Sequence, residues 1–462
     1  MRHTAVMAGT GAIGLLAVFA VDLLNLLYIS LLGDRALTAA IGFTGAVGML
    51  QLSVSIGMSI GLGACVSRLI GADRRDEARR VASSALVGMA IVMLAIGLAA
   101  VALRRPILHG LGATDGSAEA AAAFVSVVSP FLPLIGLGMA FSALLRAVGD
   151  ARRSMTVTLW GALITALLDP ALILGLHLGL QGAAISTVIS RGAVALLGFL
   201  SVRRHDLLQR PEPRCLLPDA RRIGTIAMPA ILTNLATPVG GAYTTHAMAH
   251  FGLPAVAGLA TIDRIVPVAF AFIFALTGSV GPIMSQNLGA GLLGRVRDTL
   301  RASLLLVLGC VLVMWAVLAV AQNGLVLLFS AHGATASLLR LFCSATVASF
   351  LWVGALFVAN AAFNNLGHPL LSTLFNWGRA TLGTIPFVTL GMRWGPAGVL
   401  VGQAAGGVVF GTFAVITAFI VTARLRAGED GAGIATSPDV PASSAKAAMA
   451  ELSEIDGSDR ET

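Results

Sequence analysis

The sequence predicts an all-α polytopic membrane protein: about twelve transmembrane helices in two six-helix lobes related by an internal parallel repeat. Three observations predict it. The 462 residues are 57% hydrophobic and only 11% charged, with a mean hydropathy of +0.89, whereas a soluble domain carries about 25% charged residues. The apolar runs are long enough for helices to cross a bilayer, and they lack the alternation that marks an outer-membrane barrel. The second half also matches the first when shifted by about 218 positions, the mark of a structural repeat.

Apolar stretches between breaks place the spans near 9–32, 45–70, 81–103, 120–146, 154–176, 180–203, 223–250, 256–287, 299–322, 337–364, 370–391 and 397–423. Arginines gather in the loops after even-numbered spans: Arg74, Arg75, Arg79 and Arg80, then Arg152 and Arg153, then 203–222, then Arg295, Arg297 and Arg301. The positive-inside rule therefore puts both termini and the central linker in the cytoplasm. The expected units are a lobe over 1–203, a linker over 204–222, a second lobe over 223–426 and a disordered cytoplasmic tail over 427–462. That tail is rich in Gly, Ala, Ser, Asp and Glu and cannot bury enough surface to order itself.

The net charge of +8 is almost all arginine, since Lys446 is the only lysine. A P-loop needs a lysine at its phosphates, so this chain is not itself an ATP-driven motor. Arginines at helix ends are explained by topology, so no nucleic-acid partner is expected. Cys65, Cys310 and Cys343 lie in apolar runs and Cys215 in the linker, with no CxxC; HExxH and GxSxG are absent, which argues against an enzyme. The first apolar run is too long for a cleavable signal peptide.

The repeat aligns Val66-Ser67-Arg68-Leu69-Ile70-Gly71-Ala72 with Met284-Ser285-Gln286-Asn287-Leu288-Gly289-Ala290. It also aligns Gly149 with Gly367, and Trp160-Gly161 with Trp377-Gly378. Six spans per copy is an even number, so both copies enter from one side and are related by an axis along the membrane normal. Gly57 and Gly61, with Gly402 and Gly406, read as close-packing helix surfaces.

Acids inside spans are costly, at about 2.5–3.5 kcal/mol each on insertion scales, and face a bundle interior or a wet cavity. Asp22 lies about twelve residues, or roughly 18 Å, below the outer end of the first span at about 1.5 Å per residue. Asp169 stands about ten residues before the Gly179 turn and Thr187 about eight after it, so the three share one stratum. Thr165 is at i−4 to Asp169, on the same face. Both threonines could equally bond their own helix carbonyls. Asp263, in the eighth span, reads either as a second cation or substrate contact or as a buried ion pair with an arginine. His246 and His250 have i, i+4 spacing, but no third metal ligand is apparent. Met139, Phe141, Phe270, Phe274 and Met284 are candidates for an adaptable substrate cavity.

Asp22 with Gly33, Ser67-Arg68-Leu69-Ile70-Gly71-Ala72, Leu145-Arg146-Ala147-Val148-Gly149-Asp150, and Asp169-Pro170 before Gly179-Leu180-Gln181-Gly182-Ala183-Ala184 together resemble the multidrug and toxic compound extrusion (MATE) family. The resemblance covers about 9–423. It implies a secondary antiporter of the bacterial inner membrane that expels small organic, often cationic molecules in exchange for H+ or Na+, with no cofactor. It further implies a cation or proton site in the amino-terminal lobe at Asp22, Asp169 and Thr187, with Thr165 where relatives carry asparagine. A monomer is expected. The alternative is a flippase for a lipid-linked precursor, which needs a groove of arginines; Arg146, Arg191, Arg264, Arg340 and Arg379 approach such positions.

Overall fold

A computed structural model describes residues 2–30, 35–110 and 115–427 of the chain. The expected tail falls, from residue 428 on, outside the described residues. Among these there is no strand. The first half holds α1 (Arg2–Ser30), α2 (Arg35–Gly71), α3 (Arg75–Ala102), α4 (Arg104–Gly110), α5 (Asp115–Val128), α6 (Leu132–Ala147), α7 (Ala151–Pro170) and α8 (Gly179–Arg203). The second holds α9 (Pro213–Ala249), α10 (Leu253–Ala269), α11 (Ala271–Gly289), α12 (Leu293–Leu328), α13 (Gly333–Ser344), α14 (Phe350–Asn365), α15 (Pro369–Gly378), α16 (Ile385–Gly391) and α17 (Gly395–Ala427).

Ten stretches are long and apolar enough to cross a membrane, or eleven when α10 and α11, bent by 51° at their junction, count as one crossing. Pro267 shapes that bend, since a helical proline removes a hydrogen bond. The ten include Pro369–Leu425 as one stretch, yet it contains two arms that reverse at Gly395, whose φ is +77°. The arms then run back along each other, with Gly398 against Gly391, Gly402 against Phe387 and Gly406 against Gly383. Eleven crossings plus this second arm make twelve.

The two halves cross where the arginine-rich turns lie. Gly71 of α2 packs on the backbone of Gln286 in α11, and Gly289 of α11 packs on the carbonyl of Arg68 in α2. These contacts are exchanged by the repeat, because 71 and 68 plus 218 give 289 and 286. A β-carbon at either glycine would overlap the facing backbone, which is why both positions lack one. Further along, Gly57 and Gly61 of α2 meet Ile231 and Ala227 of α9, while Gly11 of α1 meets Ala275 of α11.

Each half completes its core with a piece of the other. Ala8 of α1 joins the large core of the second half, around Phe270, Leu276, Met284 and Phe363. Ile223, Ile226 and Ala227 of α9 join the core of the first half, around Met89, Leu132 and Leu144.

The segment expected as a linker over 204–222 turns helical at Pro213, where the first N–H of α9 is not needed. It is fastened to α3. Arg222 pairs with Glu77 at 2.7 Å, Arg80 with Asp219 at 3.4 Å, and Arg79 with Asp206, while Gln209 N donates to Ser83 Oγ at 2.9 Å. The eight ion pairs found among the described residues all lie in these arginine-rich turns and the segments beside them.

Candidate ion-coupling site and substrate cavity

The site is built where α7 ends. Asp150 caps the start of α7, its side chain accepting from Arg153 N at 3.0 Å. Pro170 then removes an N–H from the ladder, and a π-helical turn follows over Ala171–Gly175. His177 and Gly179, both at positive φ, reverse the chain into α8. Gly182 brings α8 against the Leu172 carbonyl, where a β-carbon would sit 2.8 Å from it. Farther down, Ser190 Oγ donates to the Gly161 carbonyl at 2.8 Å. This tight seam sets the buried hydroxyl of Ser186 beside Asp169.

Asp169 is fully buried, and neither carboxylate oxygen makes a well-aligned hydrogen bond; nor does Ser186 Oγ. An acid left this way in an apolar interior is expensive unless a proton, a cation or a counter-charge answers it. Three charged groups are linked here through Asp22. Asp22 is within electrostatic reach of Asp169 and also of Arg191, one Nη of which is buried without a partner.

Asp22 is exposed, and its position on the helix says to what. It lies eighteen residues, about five turns, beyond Thr4, on the stripe with Ala8 and Gly11. Thr4 and Ala8 are buried and Gly11 packs on α11. The carboxylate therefore faces the space between helices rather than lipid. A shallow, open apolar groove runs between α1 and α7, lined by Ala17, Val21, Leu159, Trp160, Leu163 and Ala166 among others.

Thr165 and Thr187 donate to the carbonyls of Gly161 and Ala183, at 3.0 and 2.7 Å. Their hydroxyl protons are spent within their own helices, and only their lone pairs are left for a ligand. Asp263 of α10 is exposed and forms no ion pair among the described residues. The buried ion pair with an arginine is not seen among the described residues. His250 Nδ1 lies 3.0 Å from the carbonyl of His246, with the two rings edge to face.

Three of the five residues expected to line a cavity are core instead. Phe141 is 4% exposed against Phe199, Phe270 is stacked on Phe350 at 4.5 Å between ring centroids, and Met284 has no exposed surface. Large apolar side chains on a helix with protein on several sides are consumed by helix packing before any cavity is lined. Met139 and Phe274 are partly exposed, the latter 5.6 Å from the ring of Phe357. Ser186 and Arg191 were the residues that sequence reasoning left out of the site. Their spacing along α8 from Thr187, at i−1 and i+4, was the available signal.

Twelve crossings in two repeated lobes, with a buried acid in one that makes no well-aligned hydrogen bond, point to a membrane transporter. The MatE family model matches residues 12–171 and again residues 229–390, once per repeat, and the chain belongs to that family. A FAD transporter of Shewanella oneidensis is 29% identical over 386 residues, covering 82% of this chain and 85% of that protein. The multidrug export protein MepA of Staphylococcus aureus is 26% identical over 361 residues, covering 77% and 79%. A mutant of the Vibrio cholerae MATE transporter VcmN has the same fold, with a TM-score of 0.88 at 24% identity over 93% of this chain and 97% of that one. The same transporter in a bent form gives 0.86.

Proposed function

We propose that the chain is a secondary active antiporter of the bacterial inner membrane, with both termini cytoplasmic, that exports small organic molecules in exchange for H+ or Na+. The observation that carries the reading is Asp169: fully buried, neither oxygen in a well-aligned hydrogen bond, and in electrostatic reach of Asp22, which is itself in reach of Arg191. Such a group is neutralised by a proton or by a sodium ion held by oxygen ligands, for which Ser186, Thr165 and Thr187 offer lone pairs.

Neutralisation of Asp169 removes its repulsion with Asp22 and leaves Asp22 to Arg191 alone. The packing of α1, α7 and α8 then differs between the loaded and empty states, and a coupling ion acts only through such a difference. One charge moving across 100 mV supplies about 2.3 kcal/mol, enough for tens-fold accumulation per ion. MepA and the Shewanella protein, by their names, carry drugs and FAD respectively, which supports small organic cargo without choosing its charge.

The test is transport in proteoliposomes with imposed pH and sodium gradients, separately and together. Asp22→Asn and Asp169→Asn are expected to abolish gradient-driven transport while leaving the protein expressed. Undiminished gradient-driven transport in both variants rejects the assignment.

A further inference from the structure

The second lobe holds a half-buried cation, Arg379, with no acid paired to it among the described residues. Arg379 follows α15 at the start of a π-helical turn, Arg379–Gly383. It lies on the stripe Ser372, Asn376, Arg379 and Gly383, spaced i, i+4, i+7 and i+11 on one helix face. Ser372, Asn376 and Gly383 are buried, so the stripe faces the lobe interior. Its guanidinium reaches one long contact, Nη2 to Thr237 Oγ1 of α9 at 3.5 Å, and its Nε is buried with no partner. Among the described residues no acid pairs with it or acts on it electrostatically.

The surroundings are neutral and polar. Ser372 donates to Asn364 Oδ1 at 2.7 Å, Asn376 Nδ2 donates to the Ser372 carbonyl at 2.8 Å, and Thr233 meets Thr373 at 3.2 Å. Arg379 is ten residues past Pro369, roughly 15 Å along the helix at about 1.5 Å per residue. That is too deep in a hydrocarbon core about 30 Å thick for the side chain to snorkel to a headgroup. Arg146 repeats the pattern at the seam of the halves: its Nη1 reaches Ser154 Oγ at 3.3 Å, its Nε faces Gly278 of α11, and among the described residues it forms no ion pair.

A guanidinium at membrane depth with its Nε buried and no anion beside it is costly, and such a residue marks a functional site by default. Its planar fork matches carboxylate and phosphate oxygens. We propose that Arg379 is the anchor for an anionic group of the cargo, so that this transporter carries small organic anions bearing phosphate or carboxylate. This is the reverse of the organic cations that the family resemblance implies. It rests on the transporter reading above and assigns the substrate class to it. Arg146 supplies a second positive charge where the halves meet. In the first lobe the acids hold the coupling ion; in the second, which lacks a paired acid, the arginine holds the cargo.

Flavin mononucleotide and riboflavin test this, because they share a ring system and differ by one phosphate monoester, with ethidium as the cation. In proteoliposomes, flavin mononucleotide is expected to be carried at least tenfold faster than either riboflavin or ethidium. Arg379→Gln is expected to lower that rate at least tenfold, and Arg379→Lys to keep part of it, because one charge remains without the fork. Elution as a single species on size exclusion keeps a misfolded Arg379→Gln from being scored. Transport of ethidium in preference to flavin mononucleotide, no transport of flavin mononucleotide under any gradient, or a wild-type rate in folded Arg379→Gln each overturns the proposal. Flavin mononucleotide that equilibrates equally with and without ion gradients upholds the anion assignment and rejects antiport. Ethidium driven by a gradient does the opposite.

Discussion

Arg68 Nη2 donates to the main-chain carbonyl of Asn365 at 2.8 Å, and the repeat returns the contact: Gln286 Nε2 donates to the carbonyl of Ala147 at 2.5 Å. Adding 218 to 68 and 147 gives 286 and 365, so each half caps the end of a helix in the other. Helix C-termini leave carbonyls without partners, and side-chain donors stabilise them. Together with Gly71 and Gly289, these four residues make a reciprocal latch at the arginine-rich end.

Opening that end must break both bonds. A hydrogen bond from a charged donor contributes about 1.5–3 kcal/mol and a neutral one about 0.5–1.5 kcal/mol. Arg68→Ala with Gln286→Ala is therefore expected to shift the closed-to-open equilibrium toward open by tenfold or more, since about 1.4 kcal/mol is tenfold. Labelling of a cysteine placed at Ala147 by a membrane-impermeant thiol reagent, in a background with Cys65, Cys215, Cys310 and Cys343 replaced, reads this directly. Labelling no faster than in the parent, which keeps Arg68 and Gln286, removes the latch.

The glycines are a steric test of the same seam. Gly71→Leu and Gly289→Leu are expected to prevent closure and cut transport at least tenfold, because facing backbone cannot give way as a flexible side chain would. Gly88→Leu in α3, where a β-carbon meets nothing within 4 Å, is the control and is expected to transport normally. Equal effects at all three positions would show that helix propensity or expression, rather than contact, governs the outcome.

Asp22 and Arg191 act on one another, so their variants are expected not to add. Arg191→Gln alone should impair gradient-driven transport, while Asp22→Asn with Arg191→Gln should be no worse than Asp22→Asn. A double variant that multiplies the two single losses would mean that the groups work independently.

Phe270 and Phe274 separate core from cavity. Phe270→Ala removes a ring stacked on Phe350 and is expected to cost about 3–5 kcal/mol, seen as a lowered thermal midpoint in detergent. Phe274→Ala, at a partly exposed position, is expected to lower it much less. Equal shifts in the two variants contradict the assignment of Phe270 to the core.

The crossings were legible because lipid imposes one rule on every backbone polar group, and a long apolar run has no other use. The repeat was legible for the same reason: Gly71 and Gly289 answer one contact from two sides. Asp22 and Asp169 stood out because an acid in a span needs a purpose. Phe270 and Met284 were misplaced because an apolar side chain on a membrane helix looks alike whether it meets protein, lipid or cargo. That the end of the linker is helical was not legible, because only the fold shows Arg222 and Asp219 fastening the first turns of α9 to α3. Arg379 was visible as a charge, but only the fold shows that no acid among the described residues pairs with it.

Ala8 inside the second core and Ile226 inside the first mean that neither half is finished on its own. During synthesis the first six crossings enter the bilayer with a gap in their packing that stays unfilled until the seventh is inserted. Two genes split at the linker would yield fragments that must find each other before either escapes quality control, and a cut made there after folding would leave the pair associated.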